Sequence, residues 1–130
     1  MVSTRFPVTC EVAFDYLVDP RNRPAWQSSL KRVDEVDGDV RVGQTWVDVT
    51  RPGLRPQMET TELDRPHRWT ERGTWRGYAA TLTLTFTETA EGCDVDAEVV
   101  ITGPFVSLLR QIAPRAVRRD LRHAASMLSA

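Results

Sequence analysis

Hydrophobic and polar positions follow two periods along this chain, and the switches between them mark out its elements. Residues 2–6 read as a short extended segment, after which Thr9 is placed to cap a helix and Glu11 falls in its first turn, where the helix dipole favours an acid. The stretch CEVAFDYLV then sets Ala13, Phe14, Leu17 and Val18 on one face at helical spacing. Asp19 and Pro20 stop that helix, and Asp19 caps a second short one, RNRPAWQSSL, anchored by Trp26 and Leu30.

From Lys31 to Gly103 the period becomes two. It predicts strands over 32–36, 44–51, 57–64, 68–74, 78–87 and 94–102, joined by turn residues such as Asp37 and Gly38, Pro52 and Gly53, Arg76 and Gly77, and Glu91 and Gly92. The fifth of these is the plainest: Thr81, Thr83, Thr85 and Thr87 alternate with Leu82, Leu84 and Phe86, one wet face and one dry. In the sixth, Asp94, Asp96 and Glu98 point out while Val95, Ala97, Val99 and Ile101 point in. Short connections between alternating strands imply an antiparallel meander.

Residues 104–129 return to helical spacing. Phe105, Leu109, Ile112, Val117, Leu121, Ala124 and Leu128 form one stripe, and Pro114 inside it should kink the helix. A strand, two short helices, six strands and one long helix make an α+β chain. Its seven-stranded antiparallel sheet must cover an apolar face, and the C-terminal helix is the one element long enough to do so. A twisted sheet wrapped around a kinked helix leaves a gap, which is a natural pocket for a small molecule.

Composition narrows the classes. The chain has 130 residues, 41 % hydrophobic and 27 % charged, which suits a single globular domain over 1–130. A net charge of −1 lacks the footprint of a general nucleic-acid binder, so no nucleic-acid partner is expected. No apolar run is long enough for a membrane span. The start, MVSTRFPVTCEV, lacks the regions of a signal peptide, so the expected location is cytoplasmic, with Cys10 and Cys93 as reduced thiols. Lys31 is the single lysine among seventeen basic residues, a skew that fits a GC-rich bacterial genome.

The opening VTCEVAFDYLVDPRNRPAWQSSL, with Thr9, Phe14, Leu17, Asp19, Pro20, Pro24 and Trp26, resembles the polyketide cyclase/dehydrase-like branch of the START-like (SRPBCC, helix-grip) superfamily. Val42 to Trp46 resembles its third-strand opening, and Glu62 to Arg68 its turn into the fifth strand. Gly103 and Pro104, with Ile112 to Arg115, resemble its closing helix. The resemblance spans nearly the whole chain and implies the helix-grip fold. It implies a container rather than a particular reaction.

Candidate chemistry concentrates on the expected cavity. Trp26, Trp46, Trp69 and Trp75 offer large apolar area and one N–H each, suited to a flat ligand or to filling a wide core. Trp75, beside a turn, is the one expected to be exposed. The resemblance favours Trp26 as a structural lid with some ligand contact. Asp48 and Glu71 share a strand face with Trp46 and Trp69, and a carboxylate in an apolar cavity is a candidate acid or base, unless a β-bulge turns it to solvent. Met58 joins the wall only if its strand's facing, contradicted by Leu63, allows it. Expected ligand contacts are Trp26, Trp46, Met58, Trp69, Tyr78, Leu84, Phe86, Leu109 and Ile112. His67 and His123 form no metal or nucleophilic constellation, so no metal or cofactor is expected.

The leading expectation is therefore a protein that binds a small hydrophobic ligand, aromatic, polyketide-like or lipid-like, as a monomer or homodimer. A polyketide cyclase/aromatase using Asp48 or Glu71 is the alternative, and it requires two ionisable groups in the cavity wall. An interaction module using Arg115, Arg118, Arg119 and Arg122 is the third, although that stripe reads more simply as a solvated face opposing the helix dipole.

Overall fold

The structure, a computed structural model, describes residues 1–104 and 107–128, the side chains of Leu108 and Leu109 excepted. Strand β1 (Val2–Phe6) leads into helix α1 (Cys10–Val18), and a 3-10 turn (Pro20–Asn22) runs into the short helix α2 (Arg23–Trp26). Six strands follow: β2 (Leu30–Asp34), β3 (Thr45–Thr50), β4 (Gln57–Asp64), β5 (Arg68–Trp75), β6 (Tyr78–Thr89) and β7 (Gly92–Thr102). Helix α3 (Ser107–Leu128) closes the chain. The seven strands form one antiparallel sheet in the order β1-β7-β6-β5-β4-β3-β2. The expected α+β helix-grip architecture is thus the observed one.

Local chemistry accounts for the boundaries. Thr9 caps α1 by accepting from the Val12 amide, and Asp19 caps the following turn by accepting from Arg21. The predicted second helix over 21–30 is cut to α2, because Gln27 turns extended and Leu30 pairs with Thr50 as the start of β2. That pairing also moves β2 two residues N-terminal of its predicted place. Arg76 and Gly77, both at positive φ, make the two-residue hairpin between β5 and β6 and face Trp75 with Tyr78. Gly92, at φ 141°, packs so closely on the Phe6 carbonyl that no side chain fits there.

A β-bulge at Thr61 resolves the facing of β4. Thr60 pairs with Glu71 and Glu62 with Thr70, so Met58 and Thr60 point inward before the bulge and Leu63 points inward after it. The core lies between the inner sheet face, α1 and the C-terminal half of α3. There Phe14 meets Phe86 with ring centroids 5.0 Å apart, and Leu121 and Ala124 are buried. The described side chains of the other half are more exposed: Ile112, placed on the apolar stripe by sequence, is 50 % exposed, and Arg110 donates to the Ile101 carbonyl of β7 at 3.2 Å. Pro114 lies within this exposed half.

One expectation is overturned. Cys10 and Cys93 are a disulfide, not reduced thiols, with Cα atoms 5.0 Å apart. A cytoplasmic setting argues for free thiols, but the fold decides the distance between them. Phe6 pairs with Cys93 across β1 and β7, and α1 begins four residues later at Cys10.

Candidate functional site

Two adjoining cavities of about 510 and 240 Å³ lie on the inner sheet face, with largely apolar walls. They meet at Ala80, Leu82, Val99 and Ile101 of β6 and β7, and Gln27, Ser29 and Glu71 also border both. The larger is edged by the stacked rings of Trp75 and Tyr78, 6.2 Å apart, and by Leu54. The smaller is roofed by Ala113, Ala116 and Val117 of α3. Combined, they fall in the size range of small-molecule sites, about 300–1,000 Å³. Gly73 lines the larger cavity opposite Met58, whose Sδ occupies the space a Cβ there would take, 2.7 Å away.

A buried charged cluster forms the wall between them. Arg23, 1 % exposed, reaches in from α2; its Nη2 donates to Glu71 Oε1 at 2.5 Å and its Nη1 to Glu71 Oε2 at 3.2 Å. Nη1 also donates to Gln27 Oε1 at 2.9 Å. The guanidinium lies 5.2 Å from the Trp26 ring centroid and 5.6 Å from that of Trp69, a cation–π stack that shields it from water. Burial alone would depress its pKa, but Glu71, Asp48 and Asp120 raise it on balance. Asp120, buried on α3, accepts from Ser28 Oγ at 3.1 Å and from Arg119 Nε at 3.4 Å.

Asp48 stands apart. It is 4 % exposed, and its Oδ1 accepts from Trp46 Nε1 at 2.9 Å. Its Oδ2 has no hydrogen-bond partner among the described residues, and Asp48 lines the larger cavity. Burial raises its pKa from 3.8 to about 6; Arg23 pulls it down, Glu71 pushes it up, and the Trp46 hydrogen bond pulls it down.

That shift carries a stability prediction with a definite sign. The folded chain holds the Asp48 proton more tightly than the unfolded chain, so ionising Asp48 costs about 3 kcal/mol, fully above pH 6 and not at all below 3.8. Asp15, Asp34, Glu62 and Asp94 are shifted the other way, chiefly by hydrogen bonds from Arg65, Arg32, Thr70 and Arg5, and so act at more acid pH. Asp48→Asn is expected to raise stability near neutral pH by about 2–3 kcal/mol and to flatten its pH dependence across this window. Urea unfolding at a series of pH values measures both; an Asp48→Asn protein no more stable than wild type would rule it out.

Of the expected ligand contacts, Trp26 and Leu84 line the smaller cavity and Met58 and Tyr78 the larger. Trp46, Trp69 and Phe86 point inward as alternation requires but are sealed in the core and line neither. Their rings are used up by the Asp48 hydrogen bond, the Arg23 stack and Phe14. Ile112 lines neither and faces solvent, while Phe105 and the Leu109 side chain lie outside the described residues. Trp75, expected at the surface, is half-buried on Tyr78. Asp48 and Glu71 both reach the cavity wall, and the bulge that could have turned them out falls elsewhere.

Sequence reading missed Arg23 and Asp120. Asp120 had a signal, since it sits three residues after Val117 and four before Ala124, an acid within an apolar stripe. Arg23 had none, lying in a segment rich in exposed arginines. Arg115, Arg118, Arg119 and Arg122 are all exposed, and Arg119 also donates to Ser28 Oγ at 2.8 Å. His67 and His123 are exposed, and no cluster of metal-ligating side chains occurs among the described residues. No described helix is long and apolar enough to cross a membrane.

A sheet gripping a long helix over a cavity defines a helix-grip protein. The chain belongs to the polyketide cyclase/dehydrase and lipid transport family, whose model matches residues 1–130. Among solved structures it is similar to protein MLL2253 from Mesorhizobium loti, at TM-score 0.82 and 15 % identity over 98 % of this chain and 93 % of that one. It is similar to Ara h 8.0201 at TM-score 0.78 and 11 % identity, covering 97 % and 93 %. CalU16 from Micromonospora echinospora follows at 0.69 and 16 %, covering 98 % and 73 %. No curated protein matches significantly. Identities this low carry the fold alone, while the family's description, polyketide cyclisation or dehydration and lipid transport, makes hydrophobic ligands its common ground.

Proposed function

We propose that the protein binds a small hydrophobic molecule, aromatic or polyketide-like, between the sheet and α3. The observation that carries this reading is the pair of adjoining apolar cavities between the sheet and α3. A chain selected for stability alone would fill such a gap, since apolar voids cost packing energy. Native mass spectrometry of freshly purified protein, followed by denaturation, is expected to release a bound hydrophobic molecule. Ala80 borders both cavities, so Ala80→Phe should block their junction and lower the bound fraction at least about tenfold while the unfolding midpoint barely moves. A variant that still carries the ligand at wild-type occupancy would refute this placement.

A catalytic reading is favoured by one specific observation: two carboxylates, Asp48 and Glu71, border the larger cavity in different environments. Glu71 is held by Arg23, whereas Asp48 has a free oxygen and a pKa raised to about 6. That divergence suits Asp48 to move a proton during cyclisation or dehydration while Glu71 keeps Arg23 in place. Under this reading Asp48→Asn lowers turnover of a poly-β-ketone thioester by about 10²–10⁴-fold with little change in its binding.

A further inference from the structure

The buried carboxylates are not equally compensated. Glu71 has Arg23, and Asp120 has Arg119. Asp48 has no ion-pair partner among the described residues, and its single hydrogen bond comes from a neutral indole. The charged groups facing it are Arg23 from α2, already engaged by Glu71, and Glu71 itself from β5; Asp120 on α3 lies within reach of the same guanidinium. A carboxylate in this position is expensive to keep ionised unless a cation meets it. Asp48 lines the larger cavity, whose other walls are largely apolar, with the Trp75 and Tyr78 rings at its edge.

Resting on the binding reading above, we infer that the ligand is a hydrophobic amine: its ammonium pairs with Asp48 Oδ2, and its apolar body lies between Ala80, Leu82 and the Trp75–Tyr78 rings. The same geometry disfavours fatty acids and other carboxylates. A ligand anion would face Asp48, and no arginine lines that cavity among the described residues.

Three probes of one shape decide the matter: 1-naphthylmethylamine, 1-naphthylmethanol and 1-naphthoate, titrated by calorimetry against the whole protein. At about pH 7.5 the amine is expected to bind about tenfold or more tighter than the alcohol, the difference between a charge-assisted and a neutral hydrogen bond, and the carboxylate weakest. Asp48→Asn should bring the amine and the alcohol within about twofold of each other. Should that variant misfold, the wild type supplies the same information. Lowering the pH from about 7.5 to about 5 protonates Asp48 and should erase most of the amine's advantage, with little effect on the alcohol. An alcohol or carboxylate that binds as tightly as the amine overturns the inference and leaves the cavity reading standing. So does an amine preference that survives Asp48→Asn or acid. If none of the three binds up to its solubility, the binding reading falls and the inference falls with it.

Discussion

Arg23→Met is expected to destabilise the folded protein by about 3–5 kcal/mol, the usual effect of breaking a buried ion pair from one side. The guanidinium is 1 % exposed and makes two hydrogen bonds to Glu71 and a third to Gln27. Methionine fills much of its volume but leaves Glu71, 5 % exposed, with no cation. It also removes the charge that draws the Asp48 pKa down, so Asp48 should titrate above 6 in this variant and its stability should recover as the pH falls. The double variant Arg23→Met with Glu71→Met separates charge from packing. Replacing both partners by apolar groups is often neutral, so the double variant should regain most of the loss. Guanidinium unfolding of the four proteins closes the cycle. A double variant as unstable as the sum of its parts would show that Arg23 acts through the Trp26 and Trp69 rings and not through Glu71.

The same residues show what a sequence can and cannot disclose. Alternation on β6 and β7 reports burial directly, because the register between these two strands runs without a bulge; Leu84, Val95 and Ala97 are buried as their parity demands. On β4 the parity argument failed, since the extra residue at Thr61 reverses the facing between Thr60 and Leu63. Asp48 and Glu71 were legible as inward-facing carboxylates because no bulge intervenes on their strands. Their difference was not. It depends on Arg23 arriving from a helix 48 positions away in sequence from Glu71, and no local period encodes that meeting. The tryptophans erred in the opposite direction. An indole on an inner face is equally consistent with a cavity wall and a core, and here hydrogen bonding and cation–π stacking draw Trp46 and Trp69 into the core. The helix–sheet gap is legible as topology, but its position beneath Ala113, Ala116 and Val117 of α3 follows from packing alone.

Breaking the Cys10–Cys93 disulfide should produce a loss of similar size by a different route. The bond spans 83 positions and ties the first residue of α1 to β7, closing nearly two thirds of the chain into a loop. In the chain-entropy description, a cross-link of that span removes about 4.5 kcal/mol of conformational freedom from the unfolded state at 25 °C. Both sulfurs are buried, so the folded chain should resist mild reductants and yield to them once unfolded. Wild type with and without a strong thiol reductant and the Cys10→Ser/Cys93→Ser variant form the comparison, with thiol counts under denaturing conditions fixing the state of each. The oxidised protein is expected to unfold at a markedly higher denaturant concentration than either of the others. The oxidised and reduced proteins share every side chain, so the gap between them isolates the cross-link from any change in packing. Coincident unfolding of those two, with the bond verified in one and absent in the other, would mean that the unfolded chain is already compact around this pair. Stability would then come from the β1–β7 pairing that brings the sulfurs together, with the bond recording the fold and adding little to it.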